Sequence, residues 1–216
     1  LRVHPKVPMV LAVREDHRVN GEAETTLVGL GWPGTDGAGR EVVLRRGADF
    51  YANPTLSDDG RLAWLEWWHP AMPWDSTLLK VGRLDTQEWS VADVQLVAGR
   101  SGAGLDGVAV HHPRWSAAGT LVYTSDVSGY YQLAEWDGRG VRALHSDQAD
   151  FDLPMFVLGN HAHADLDAKQ ILGWRLDEGL CHLAIVSRVG APTRRLAGVA
   201  AVDSVASALG VGYAIV

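Results

Sequence analysis

The sequence predicts an all-β fold: a partial β-propeller of roughly four to five four-stranded antiparallel blades. Three observations carry this. First, one strand-turn-strand unit recurs. Pro54-Thr-Leu-Ser-Asp-Asp-Gly-Arg-Leu-Ala-Trp64 aligns without a gap onto Pro113-Arg-Trp-Ser-Ala-Ala-Gly-Thr-Leu-Val-Tyr123. Leu166-Asp-Ala-Lys-Gln-Ile-Leu-Gly-Trp174 is a weaker third copy. Second, the copies are spaced at roughly one propeller blade, about 50 residues. Third, no helix is strongly signalled anywhere. A β-sandwich also explains many short strands, but not the same turn returning at blade spacing.

The elements follow in order. Met9 to Glu15 reads as a strand and Thr25 to Gly31 as its hairpin partner, with a polar loop between them. Trp32 to Gly39 is a Gly/Pro turn cluster, and Glu41 to Arg45 is the next strand. Asn53-Pro-Thr-Leu56 is extended, Ser57-Asp-Asp-Gly60 is a tight turn, and Arg61 to Trp67 is a buried strand. Thr77 to Leu84 and Ser90 to Val97 close that blade, and Gly99 to Gly107 is a glycine-rich connector. The third blade uses Val108 to Trp115, Thr120 to Ser125, Tyr130 to Trp136 and Val141 to His145. The fourth uses Phe156 to Leu166, Gln170 to Arg175, Cys181 to Ser187 and Thr193 to Ala197. Val202 to Ala208 and Val211 to Val216 begin another. The blades thus fall at about 8–47, 48–98, 106–147 and 150–198, with a further one starting at 199–216. A terminal strand without partners is an exposed edge, so a longer parent polypeptide is expected, as is self-association through open blade edges.

Bulk properties narrow the function. The 216 residues carry a formal charge of −7 with both signs interspersed, which disfavours nucleic acid as a main partner. No apolar run is long enough to cross a membrane. A single cysteine, Cys181, cannot form an internal disulfide, so a reducing, cytoplasmic setting is expected. Nine tryptophans supply indole area for wedges between sheets.

The residues resemble the N-terminal propeller of the prolyl oligopeptidase family of serine peptidases, in its bacterial dipeptidyl/acylaminoacyl-peptidase branch. The matching stretches are Val13-Arg-Glu-Asp-His17, Asp49-Phe-Tyr-Ala-Asn-Pro-Thr-Leu-Ser-Asp-Asp-Gly60 and Trp64-Leu-Glu-Trp-Trp-His-Pro-Ala-Met-Pro-Trp-Asp75. Pro113-Arg-Trp-Ser116 and Ala149-Asp-Phe-Asp-Leu-Pro-Met-Phe-Val-Leu-Gly159 complete them. The run from His69 to Asp75 is the most specific. In such a family the propeller covers an α/β-hydrolase domain lying mostly C-terminal to it, filters substrates by size and helps line the chamber. The resemblance therefore implies a hydrolase domain and short peptides as partners, with no cofactor. This chain contains no Gly-x-Ser-x-Gly elbow; Ser101 lacks the second glycine. No catalytic residue is assigned to it. A binding or scaffold propeller of TolB or WD-repeat type is the alternative. The turn at Ser116-Ala-Ala-Gly119 departs from the family's usual Pro-Asp turn.

Candidate sites are few. Trp68, His69, Met72, Trp74 and Asp75 lie in a Pro-stiffened loop rich in aromatic and sulfur side chains. Either the loop packs on a hydrolase domain or lines its chamber, or it folds back over its own blade. Glu15 and Asp16 can meet a substrate's positive N-terminus, or stand in a solvated loop. His161, His163 and Asp165 alternate along a predicted strand and would point together, as zinc ligands do, but no fourth ligand is identifiable. A polar strand facing a wet channel is the favoured reading, so no metal is expected. His111 and His112 are adjacent in a strand and should face opposite sides, with a capping or solvent-facing role. Cys181 reads as core packing. Gly29-Leu-Gly-Trp-Pro-Gly34 has dinucleotide-motif spacing but lies between strands rather than opening a helix.

Overall fold

The computed structural model describes residues 2–4, 7–18, 21–35, 37–101, 106–196, 204–208 and 211–215. Among these the regular elements are eighteen β-strands, and there is no α-helix. They form four four-stranded antiparallel sheets, each joining consecutive strands, and one two-stranded sheet. The chain divides into two compact units, Leu1–Gly107 and Val108–Val216.

The first unit holds two sheets. One comprises β1 (Arg2–Val3), β2 (Met9–Asp16), β3 (Glu24–Gly31) and β4 (Glu41–Arg45). The other comprises β5 (Phe50–Leu56), β6 (Arg61–Trp67), β7 (Leu78–Asp85) and β8 (Ser90–Ala98). The sequence signalled all but β1, whose two residues pair with Val10 and Leu11. Their shared core sets Met9, Leu11 and Leu27 of the first sheet against Leu62, Trp64 and Leu84 of the second. Each such side chain contributes about 1.5–3 kcal/mol by leaving water. The Trp64 indole N–H donates to Glu66 Oε2 at 2.8 Å, and Lys80 Nζ stands 2.5 Å from Glu66 Oε1. The strand therefore buries its carboxylate without leaving it unpaired.

In the Gly29–Gly34 motif Gly29 and Gly31 serve packing, while Gly34 takes a positive φ of 82° in open space. A Cβ on Gly31 would sit 1.6 Å from the Gly37 carbonyl oxygen, so this close backbone approach admits only glycine.

The second unit begins with β9 (Val110–Trp115), β10 (Leu121–Ser125), β11 (Gln132–Trp136) and β12 (Val141–Ala143). A second sheet holds β13 (His163–Asp165), β14 (Gln170–Asp177), β15 (Leu180–Ser187) and β16 (Arg194–Arg195). Val122, Leu133, Phe151, Ile171 and Val186 fill the space between these sheets. Leu172 and Trp174 pack with Val205 of the last sheet, β17 (Ser204–Ala208) and β18 (Val211–Ile215). Cys181, half-buried, packs at the edge of that cluster. Residues 199–203, 209–210 and 216 of the anticipated last blade, 197–198 at the end of the blade before it, and 102–105 of the connector lie outside the described residues.

The repeat is copied down to its hydrogen bonds. The Ser57 N–H donates to Arg61 O at 2.9 Å and Gly60 N–H to Ser57 O at 3.1 Å. In the next copy Ser116 N–H donates to Thr120 O at 2.8 Å and Gly119 N–H to Ser116 O at 2.9 Å. Both turn glycines have positive φ, 87° and 77°. The third copy retains the closing bond, from Leu166 N–H to Gln170 O at 2.9 Å.

The strands also share a bulge. Asn53 and Pro54 together face one residue of β6, with the register jumping from Ala52↔Leu65 to Thr55↔Ala63. His112 and Pro113 do the same on β9, between His111↔Thr124 and Arg114↔Val122. Asn53 (φ 47°) and His112 (φ 51°) both take the left-handed conformation. Two residues opposed to one kinks the strand and re-aims its side chains.

One expected strand is largely missing. Only His163–Asp165 of the Phe156–Leu166 span pairs as a strand. Asp152 is drawn into the core just upstream, and Pro154 lacks an N–H for a ladder. The segment therefore runs as an irregular loop before it joins the sheet.

Candidate functional site

The Trp68–Asp75 loop is tied mostly to its own blade. Trp67 is buried and stacks on Phe50 at 5.2 Å, and the Trp68 indole donates to Gly47 O at 3.0 Å. His69 N–H donates to Asp49 Oδ2 at 2.9 Å, and its ring lies edge-on to Phe50 at 4.8 Å. Asp75 Oδ2 accepts the Met72 N–H at 2.9 Å, while Trp74 is half-buried. Of the loop's side chains, His69, Pro70 and Met72 remain open to solvent. Glu15 is exposed beside His17. Asp16 is engaged by Arg18, whose hydrogen bonds hold its carboxyl well below the usual range.

The second unit carries a more concentrated cluster, which the sequence did not single out. Its centre is Asp152, 2% exposed. His111 Nδ1 lies 3.5 Å from Asp152 Oδ2 and His112 Nε2 lies 3.3 Å from Asp152 Oδ1. Thr124 Oγ1 donates to Asp152 Oδ2, and the Leu153 N–H donates to Oδ1 at 2.8 Å. Two adjacent histidines reach one carboxylate because His112 sits in the bulge. In a regular strand they would face opposite sides, which is what the sequence suggested. Nor do they face solvent, since both are buried.

Charge explains why the pair persists there. Burial raises the Asp152 carboxyl, but the nearby His112 charge and the hydrogen bonds from both histidines outweigh it, and the net displacement is strongly downward. Burial likewise pulls His112 down, and the Asp152 carboxylate reverses this, so His112 ends above its ordinary value. A buried carboxylate with a charged imidazole offsets the desolvation that either would suffer alone.

His161, His163 and Asp165 do not form a ligand set. His161 precedes β13, and its N–H donates to Ser204 Oγ at 3.1 Å. His163 is fully buried rather than facing a channel, and burial holds its imidazole down to about 3. Its neutral ring donates Nε2–H to the His112 carbonyl at 2.9 Å, which braces the bulge. Asp165 pairs with Arg188 at 2.5 Å, and Arg188 also engages Glu135. Arg142 lies 2.6 Å from the second Glu135 oxygen, and Thr120 donates to the first at 2.7 Å. Arg114, His163, Asp165 and Arg188 line a cavity of about 380 Å³.

A second cavity, about 230 Å³, opens beside the Asp152 cluster. His112 and Asp152 form its polar wall, and Leu153, Met155, Phe156 and Trp174 form its apolar lining. Beside it stand Phe156, 72% exposed, with Val157 and Leu158 also exposed. Three successive apolar side chains are thus open to water at the cavity mouth. The signal lies in Leu153-Pro-Met-Phe-Val-Leu158, although Phe156 onward also has the apolar content of a strand. An apolar cavity thus opens beside a buried imidazole–carboxylate pair. It includes no activated serine or cysteine nucleophile.

The chain matches puromycin hydrolase with a TM-score of 0.81 at 23% identity, over 96% of this chain and 32% of that one. It matches a puromycin-hydrolyzing peptidase of Mycobacterium tuberculosis with a TM-score of 0.73 at 24% identity, over 95% and 31%. TolB from Acinetobacter baumannii matches less well, with a TM-score of 0.55 at 16% identity, over 88% and 40%. The chain thus spans about a third of the length of the two peptidases it matches. No protein-family model and no curated protein matches it. These likenesses show the fold, a partial β-propeller like the N-terminal propeller of prolyl oligopeptidase-family peptidases. Among the described residues no helix is long and apolar enough to cross a membrane.

Proposed function

We propose that this chain is the substrate-gating and positioning propeller of a prolyl oligopeptidase-like serine peptidase that hydrolyses short peptides. The observation that carries this reading is the likeness to puromycin hydrolase, which extends over 96% of the chain at a TM-score of 0.81. The catalytic serine, with its Gly-x-Ser-x-Gly elbow, then belongs to an α/β-hydrolase domain elsewhere in the parent polypeptide. The parent cleaves aminoacyl bonds of the kind found in puromycin. The exposed Phe156–Leu158 loop, with the adjoining cavity, faces that domain or its chamber. Met72, His69, Trp68, Trp74 and Asp75 are chamber or interface residues on the other unit, and Glu15 and Asp16 are weaker candidates for meeting a substrate ammonium. A scaffold propeller of TolB type is the competing reading, and its structural match is poorer.

Hydrolysis of aminoacyl p-nitroanilides and of puromycin by the parent protein tests this. Activity is expected, with kcat/KM lowered by a Phe156→Asp, Leu158→Asp pair while the melting temperature of the propeller holds. Deleting 1–216 is expected to abolish the preference for short peptides. A parent reading frame without a Gly-x-Ser-x-Gly domain, or a parent inert toward both substrates, defeats the proposal.

A further inference from the structure

We infer that His111, His112 and Asp152 form a binding site for one divalent metal ion of the zinc class. One ligand atom from each lies within 4.8 Å of the others, and all three residues are buried. Among the described residues this is the one grouping of three such side chains. Zinc holds imidazole nitrogen and carboxylate oxygen at about 2.0–2.2 Å, so neighbouring ligands of a tetrahedral ion stand roughly 3.4 Å apart. The imidazole–carboxylate separations of 3.5 and 3.3 Å are already at that length. Because the two histidines approach different oxygens, the carboxylate would bind through both, or rotate slightly to favour one.

Second contacts hold the ligands as metal sites require. Thr124 and the Leu153 N–H orient the carboxylate. The Tyr131 ring stacks on His111 at 4.9 Å, and His163 fixes the carbonyl of the bulge residue. The bulge is what makes the set possible, since it turns consecutive histidines onto one carboxylate. Two imidazoles and a carboxylate are a borderline donor set, suited to zinc ahead of magnesium or calcium. Three protein ligands leave a coordination position, and His112 and Asp152 border the 230 Å³ cavity through which water or a ligand heteroatom can reach it. One carboxylate against a doubly charged ion leaves net positive charge, which favours hydroxide or a carboxylate group in that position.

Isothermal titration of the full chain with zinc(II), after chelator treatment, is expected to show one saturable ion per chain. Cobalt(II) should give the visible absorption of a tetrahedral centre. Asp152→Asn should abolish stoichiometric binding, and Thr124→Val should weaken it about 10–100-fold, the usual effect of losing an outer contact. Unfolding of the Asp152 variant would blur that comparison, so ¹⁵N spectra of histidine-labelled wild-type protein provide a second measurement. Zinc(II) must shift the His111 and His112 ring nitrogens. Absence of saturable binding overturns the inference. So does binding that moves only exposed histidines such as His17 or His69, or that survives in folded Asp152→Asn.

Discussion

His145 should make the second unit acid-sensitive, and replacing it should remove part of that sensitivity. Its side chain is 6% exposed, and its ring centroid lies 4.0 Å from that of Phe151. The Leu133 N–H donates to its Nε2 at 3.1 Å, which requires an unprotonated nitrogen there. Burial lowers the imidazole most. Asp147, with a carboxylate oxygen 3.6 Å from Nδ1, opposes this, Arg175 adds to it, and the folded value falls to about 4 against an ordinary 6.5. The sign follows directly. As pH drops below 6.5 the unfolded chain takes up this proton and the folded chain does not, so stability is full above 6.5 and declines toward 4. Each pH unit in that window costs about 1.4 kcal/mol, and the whole window about 3 kcal/mol. His145→Gln retains an oxygen able to accept the Leu133 N–H but does not titrate. Denaturant unfolding at several pH values between 7 and 4 should therefore give the variant a profile shallower by about 1.4 kcal/mol per pH unit. Carboxylates titrate in both proteins and drop out of the difference. Parallel profiles, or a His145 ring resonance that titrates near 6.5, would refute the reasoning.

Two further substitutions probe the packing. Glu135→Gln leaves the buried Arg188 with Asp165 as its carboxylate and should cost about 1.5–3 kcal/mol, and less in a chain that already carries Arg188→Met. Equal costs of Glu135→Gln in the wild-type and Arg188→Met backgrounds, measured by urea unfolding, would show that the pair is not coupled. Gly31→Ala puts a methyl 1.6 Å from a backbone oxygen and should lower the unfolding midpoint by an amount worth about 1–3 kcal/mol. An unchanged midpoint would mean that the Gly31–Gly37 approach is absent in solution.

Much of the fold could be read from residues, because its signals are local. Leu62 and Trp64, like Leu121 and Tyr123, alternate after a glycine turn, and both pairs are buried as that spacing demands. Where the pattern failed, a distant partner had intervened. Phe156–Leu166 looks apolar enough for a strand, but the upstream Asp152 is held by side chains from β9 and β10, and the chain between cannot pair regularly. The two-residue β1 carries no periodicity at all. The candidate sites were harder still. Alternation placed His161, His163 and Asp165 on one face, but His161 lies outside the strand and His163 points to a backbone carbonyl. Aromatic content picked out the Trp68–Asp75 loop without revealing that Phe50 and Gly47 would take up its indoles.

The bulge was legible, although only through the repeat. Asparagine tolerates the left-handed conformation better than most residues, and Asn53 precedes a proline that aligns with Pro113. The same geometry could have been projected onto His112, and with it the turning of His111 and His112 toward one point. In the second blade this bulge presents Ala52 and Asn53, and the small buried Ala52 demands no counter-charge. In the third it buries two imidazoles, whose nitrogens need polar partners, and a charged imidazole there needs an anion. Asp152 supplies that anion from the loop after β12, at the cost of a regular strand there. The copied frame thus sets the scaffold, and chemistry collects where one copy replaces Ala-Asn with His-His and a neighbouring loop bends inward to meet it.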